Sequence, residues 1–264
     1  MYYEVFLAAL AAGVLATIAA GASLTLPASF IPRLVSFAVG ALLGAVFIEL
    51  LPDALERGGN EHVMVTVLVG LLVFFLLEKL VLWRHSHGDM PHDVARDETE
   101  HAHAMHGADL HAHDHGRSGL MILIGNSVHN FCDGIVIAAA FVADARLGLV
   151  TTLAIVAHAV PQQIGDFAVL LHSGYTRQRA FGVNVATGVA TLAGATAGYF
   201  ALAALQGILP TVLAIASASL LYVAVADLIP SLHRRPEPLE TLKQMLLILS
   251  GIAIIAGVHF ALEP

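Results

Sequence analysis
Hydrophobic residues come in long unbroken runs along this chain. Eight stand out, at about 4–26, 33–52, 62–83, 119–143, 147–171, 180–205, 208–230 and 241–261. Each has about the twenty residues a helix needs to cross ~30 Å of hydrocarbon. The pattern predicts an all-α polytopic membrane protein with eight transmembrane helices. Residues 1–83 hold helices 1–3 and 119–264 hold helices 4–8, together one transmembrane domain.

Composition agrees. The 264 residues are 58% hydrophobic and 12% charged, and the mean hydropathy is +0.80. A soluble domain of this size does not look like that. The start, Met1-Tyr2-Tyr3-Glu4-Val5, lacks the basic stretch of a cleaved signal peptide, so the first run is read as a retained span. A single cysteine, Cys132, excludes an internal disulfide and a four-cysteine zinc site. The twelve basic residues form no aromatic-interleaved patch, so no nucleic-acid partner is expected.

Placement of those basic residues orients the chain. With the N-terminus outside, the inner loops hold Arg33, Lys79, Arg84, Arg96, Arg117, Arg177, Arg179, Arg234, Arg235 and Lys243. The outer loops hold Arg57 and Arg146. Ten against two is a strong positive-inside bias. It predicts both termini outside a plasma membrane, expected to be a bacterial inner membrane.

Between spans 3 and 4 the material changes. Residues 84–118 hold His85, His87, His92, His101, His103, His106, His111, His113 and His115, interleaved with acids and few apolar residues. Such a segment cannot bury enough surface to order itself, so it reads as a disordered cytoplasmic loop. Its His-x-His repeats (His101, His103, His106, His111, His113 and His115) offer imidazoles to a transition metal.

Polar atoms also interrupt the spans. Span 4 carries His129, Asn130 and Asp133, and span 5 carries His158, Gln162 and Asp166. A spacing of four stacks side chains on one helix face. Ionisable groups at membrane depth are functional hypotheses by default, and two such faces turned together suit a divalent metal. Pro161 is expected to free the carbonyl of Ala157 and bend span 5. Gly134 and Gly165 are expected to let spans 4 and 5 approach. Cys132 is read as a packed small residue, with soft ligation the lesser possibility. Glu49 and Asp53 in span 2 suggest a cation-attracting mouth. Asn184 in span 6 reads as a helix–helix hydrogen bond. His172 and Asp227 lie near the inner ends of spans 5 and 7.

One tetrapeptide pattern recurs: Glu49-Leu50-Leu51-Pro52 in span 2 and Asp227-Leu228-Ile229-Pro230 in span 7. The two spans run in opposite directions. An inverted repeat of helices 1–3 and 6–8, flanking helices 4–5, would produce this.

Eight spans, an outer N-terminus, a His-rich loop and His129-Asn130-Phe131-Cys132-Asp133-Gly134 together resemble the ZIP (Zrt/Irt-like) family of divalent metal transporters. Span 5 resembles the branch with the motif His-Glu-x-Pro-His-Glu-x-Gly-Asp. His158, Pro161, Gly165 and Asp166 match it; Ala159, Gln162 and Gln163 depart. The resemblance implies a metal site between spans 4 and 5, often binuclear. His129, Asp133 and His158 carry over as primary ligands, Asn130 as a second-site ligand, and Gln162 at the position of a usual shared ligand. Because Ala159 cannot coordinate and Gln162 is neutral, one well-formed site is expected rather than two.

The expected activity is Zn²⁺ transport into the cytoplasm, with Fe²⁺, Mn²⁺ or Cd²⁺ as alternative cargo. Glu49 and Asp53 would receive the ion, and His129, Asp133, His158 and Gln162 would hold it. Gln163 and Asp166 would pass it inward, toward His172 and Asp227. An intramembrane metallohydrolase is disfavoured: there is no HExxH and no base beside the ligands. A non-transporting metal sensor and a metal exporter would use the same ligands, and both rank below uptake. The expected partners are the metal ion and the bilayer, and a homodimer is left open.

Overall fold
The computed structural model describes residues 1–22, 30–86, 117–233 and 237–262. Among the described residues all regular structure is helical. Span 1 is α1 (Tyr2–Ala22). Span 2 is continuous through α2 (Ile31–Gly44), a π-helical turn (Ala45–Leu50) and α3 (Leu51–Gly58). Spans 3 to 6 are α4 (Asn60–Ser86), α5 (Arg117–Ala143), α6 (Ala145–His172) and α7 (Arg177–Ala204). Span 7 joins α8 (Leu209–Tyr222), a second π turn (Val223–Leu228) and α9 (Ile229–Leu232). Span 8 is α10 (Pro238–Leu262). Eight helical stretches are long and apolar enough to cross a membrane, matching the eight runs. The chain is an integral membrane protein. Most of the His-rich segment, including His101, His103, His106, His111, His113 and His115, lies outside the described residues.

Local chemistry sets several boundaries. Asp144 accepts from the backbone N–H groups of Arg146 and Leu147 and caps α6, and Thr176 does the same for Arg179 at the start of α7. Span 2 runs further than the apolar run suggests, because Pro52 sits in the first turn of α3, where its missing N–H costs nothing within that helix. The chain turns into α4 at Gly59, whose φ of 79° is left-handed.

Irregular backbone also occurs where nothing in the sequence signals it. α6 runs as α-helix through Pro161. The irregular turns lie in spans 2 and 7, each just before a proline. In each, an N–H reaches five residues back, from Leu51 to Val46 and from Ile229 to Ala224. A proline two positions after the π turn has no N–H for the carbonyl one turn back, and the widened turn accommodates that gap.

Spans 2 and 7 share one segmentation. Each has a fourteen-residue helix with proline in its first turn, a six-residue π turn, and a helix again opening with proline. Glu49 and Asp227 both occupy the fifth position of the π turn. The pairing of spans obeys the same symmetry: span 4 packs on span 6 as span 5 does on span 1, and span 2 packs on span 8 as span 7 does on span 3. The tetrapeptide echo is thus part of a repeat that includes backbone irregularity.

Spans 2 and 5 are the most buried of the eight, and spans 3 and 8 the least. Leu68, Leu72, Phe75 and Leu76 of α4 and Leu242, Leu246, Leu249 and Phe260 of α10 are exposed. They form the apolar exterior that lipid would cover.

Glycines set the closest approaches, with one correction to the sequence reading. Gly134 meets the backbone of Thr191 and Ala195 in α7, and Gly194 of α7 meets the Phe131 carbonyl in return. Gly134 therefore joins span 4 to span 6, not to span 5. Gly165 has open space where a Cβ would stand, so it sets no approach at all. A side chain at Gly194 would be driven into the Phe131 backbone of α5, between His129 and Asp133 in sequence. Gly194→Val is expected to destabilise the fold by about 2–3 kcal/mol, read as a lower thermal midpoint in detergent.

Candidate metal centre
α5 and α6 bring His129, Asp133 and His158 together. One ligand atom from each lies within 4.8 Å of the others, the only such His/Cys/Asp/Glu trio among the described residues. Helical spacing puts His129 and Asp133 on one face of α5, and His158 faces them from α6. Asp133 Oδ2 lies 3.2 Å from His158 Nε2 and 3.5 Å from His129 Nε2. The two imidazoles meet edge to face, with centroids 5.7 Å apart. Asp133 and His158 are 2% and 1% exposed.

Hydrogen bonding orients the donors inward. His158 Nδ1 lies 3.2 Å from the Ala154 carbonyl, which can only accept, so Nδ1 carries the hydrogen. Nε2 then faces the Asp133 carboxylate, and a proton or a metal ion must lie between them. His129 Nε2 is buried without a hydrogen-bond partner. Two nitrogens and a carboxylate converge with one of them unsatisfied, and a divalent cation would satisfy all three. Imidazole with carboxylate suits Zn²⁺ and its neighbours in the first transition row.

The remaining expected residues fall into separate groups. Asn130 is buried, but its amide donates to the Asn126 carbonyl at 2.8 Å and its oxygen accepts from Thr191 at 3.2 Å. Gln162 is half-buried one turn beyond His158, and Ala159 is buried. Asp166 accepts from Asn126 Nδ2, tying α6 to α5. Gln163 is 2% exposed; its Oε1 accepts from Thr17 at 3.5 Å and its backbone carbonyl from Asn184 Nδ2 at 3.1 Å. Gln163 Nε2 is buried and unpartnered. Asn184 does make the helix–helix hydrogen bond expected of it.

Nearer the loops, Glu49 Oε1 lies 2.7 Å from His259 Nδ1. Asp53 binds Arg57 through both oxygens, at 2.6 and 3.1 Å. Asp227 is exposed. The side chain of His172 lies outside the described residues. Cys132 is half-buried and outside the trio.

Sequence reasoning gave no role to Asn126 or His259. Asn126 was legible: it precedes Asn130 by four and Asp133 by seven, on the same helical face. His259 was not, because its partner lies 210 residues away.

The family model described as ZIP Zinc transporter matches residues 3–259. The chain belongs to the ZIP family. Among the family's curated members, mouse "Zinc transporter ZIP13" is 32% identical over 261 residues, covering 88% of this chain and 70% of the relative. The human protein of that name is 31% identical, covering 84% and 69%. The fruit fly "Zinc transporter ZIP13 homolog" is 29% identical, covering 87% and 78%. Membership extends over nearly the whole chain, so it includes both helices of the His/Asp trio.

Proposed function
We propose that this chain carries a divalent transition-metal cation, Zn²⁺ first, across the bilayer into the cytoplasm, with His129, Asp133 and His158 holding the ion mid-way. The observation that carries the reading is the convergence of three ligand atoms from spans 4 and 5, one of them a buried imidazole nitrogen without a hydrogen-bond partner. Family membership and the zinc-transporting relatives support the same cargo. The bias of Lys and Arg supports the direction, with both termini outside a plasma membrane and the His-rich segment inside.

On this reading Glu49 and Asp53 stand at the outer mouth. Gln162 adds a neutral carbonyl donor one turn from His158. Asp166, Gln163 and Asn184 lie inward of the trio, and His172 and Asp227 stand at the exit. Fe²⁺, Mn²⁺ and Cd²⁺ are accepted to the extent that they tolerate a mixed imidazole–carboxylate site. Uptake into proteoliposomes tests the proposal. Protein-dependent Zn²⁺ entry that is lost in His129→Ala supports it, whereas binding without flux would make the protein a sensor.

We further propose one tight ion per chain. Asn130 spends its amide on the Asn126 carbonyl of its own helix and on Thr191 of α7, Gln163 Oε1 accepts from Thr17 of α1, and the departures at Ala159, Gln162 and Gln163 remove the charge a second ion needs. Titration of protein lacking residues 90–116 is expected to give a single tight Zn²⁺ equivalent. Two equivalents would sink this.

A further inference from the structure
Spans 2 and 8 and the connection between spans 4 and 5 line a cavity of about 800 Å³, with Glu49, Asp53, Glu56, Arg57, Asp144 and His259 among its walls. Arg146 also lines it, and three of its charged residues hold structural bonds near the surface. Asp53 holds Arg57 in two bonds, and Arg57 also donates to the Ala143 carbonyl. Asp144 caps α6. Glu49 differs. Its side chain is 5% exposed, it stands in the π turn of span 2, and its carboxylate meets the His259 imidazole of span 8 at 2.7 Å.

Packing does not require this pair. α2 and α10 already meet backbone to backbone, through Gly40 against Ile248 and Gly251 against Phe37. Burying a carboxylate where an apolar side chain would serve costs free energy. The pair also joins the two donor types that the trio uses, and it shares no residue or helix with it.

We propose that Glu49 and His259 form a transit site for a divalent cation, a separate station on the route to the trio; the inference rests on the transport function proposed above. The geometry is close to what coordination needs. Metal–nitrogen and metal–oxygen bonds of about 2.0 Å at a tetrahedral angle put the two donor atoms roughly 3.3 Å apart. Opening the pair by about half an ångström, with loss of the hydrogen shared between Oε1 and Nδ1, makes room for the ion. Water in the cavity completes the shell. Two protein ligands and water hold an ion loosely enough to pass it on, as conduction through successive sites requires.

The test is initial-rate metal uptake into proteoliposomes by the full chain. Glu49→Gln and His259→Ser are each expected to raise the KM for Zn²⁺ about tenfold or more, with Vmax within twofold. The double variant should be no worse than either single one, because both remove one site. His259→Cys distinguishes a ligand from a strut: a thiolate keeps the site for a soft ion. It should hold the KM for Cd²⁺ within about twofold of wild type while that for Mn²⁺ rises. Unchanged KM values in wild-type-like folds would overturn the transit site. So would a fall in melting temperature and Vmax with KM unmoved, which is the behaviour of a latch. Absence of any uptake by the wild type would instead overturn the transport function, and the transit site with it.

Discussion

Asp133→Ala is expected to reduce Zn²⁺ uptake into proteoliposomes to the level of protein-free vesicles, a loss of at least about a hundredfold. Asp133 is the only carboxylate of the trio, and its Oδ2 is the atom both imidazoles approach. Without it, a dication would sit at membrane depth against two neutral rings with no compensating charge. Each tenfold in affinity is ~1.4 kcal/mol, and losing a buried counter-charge to an ion costs several times that. The loss of flux should not come from unfolding. In the metal-free protein the substitution removes a buried charge, which partly offsets the partner taken from His158. The apo melting transition is therefore expected to stay within ~2 kcal/mol of wild type. What should disappear is the rise in melting temperature that added Zn²⁺ gives the wild type, since ligand stabilisation follows RT ln(1 + [L]/Kd). Asp133→Asn keeps the shape and should fail in the same way. Uptake by either variant above a tenth of wild type would show that the ion crosses elsewhere.

Much of this was legible in the sequence because a bilayer narrows the options. A run of some twenty apolar residues can only be a helix there, so the order of spans followed from hydropathy alone. The trio was legible for a related reason: His129 and Asp133 share a face by local spacing, and His158 follows the next short turn. What depends on pairing between distant segments was hidden. Gly134 looked like a contact between consecutive spans, yet its partner is Gly194 on span 6. Packing follows which surfaces are small enough to touch, not order along the chain. Pro161 sits inside an unbroken α-helix, whereas Pro52 and Pro230 each follow a π turn that nothing in the sequence marked. A proline marks where one hydrogen bond is missing, and the surrounding helices decide how that gap is filled. The link between Glu49 and His259 had no signal at all, since neither residue carries any local spacing to the other.

Gln163→Glu is expected to destabilise the metal-free protein by about 3 kcal/mol or more, and added Zn²⁺ should restore most of the loss. Glutamate has the shape of glutamine, so the Oε1 that accepts from Thr17 can stay where it is. The change falls at the other end of the side chain. A buried amide nitrogen without a partner becomes a carboxylate oxygen at a position 2% exposed. Thr17 and Asn184, the two residues that hydrogen-bond Gln163, are both neutral, and an uncompensated charge in such a place costs several kcal/mol. A cation at the new carboxylate would supply the missing counter-charge. At a hundred times its dissociation constant, a bound ion contributes ~2.7 kcal/mol, close to the expected deficit. The variant should therefore melt well below wild type in chelator and approach it as Zn²⁺ is added. In protein lacking residues 90–116, the titration should rise from one tight equivalent toward two. A variant that melts like wild type in chelator and binds no further metal would show that this corner of the helix packing is wet or compliant. The loss of charge at Gln163 would then not be what confines the protein to a single ion.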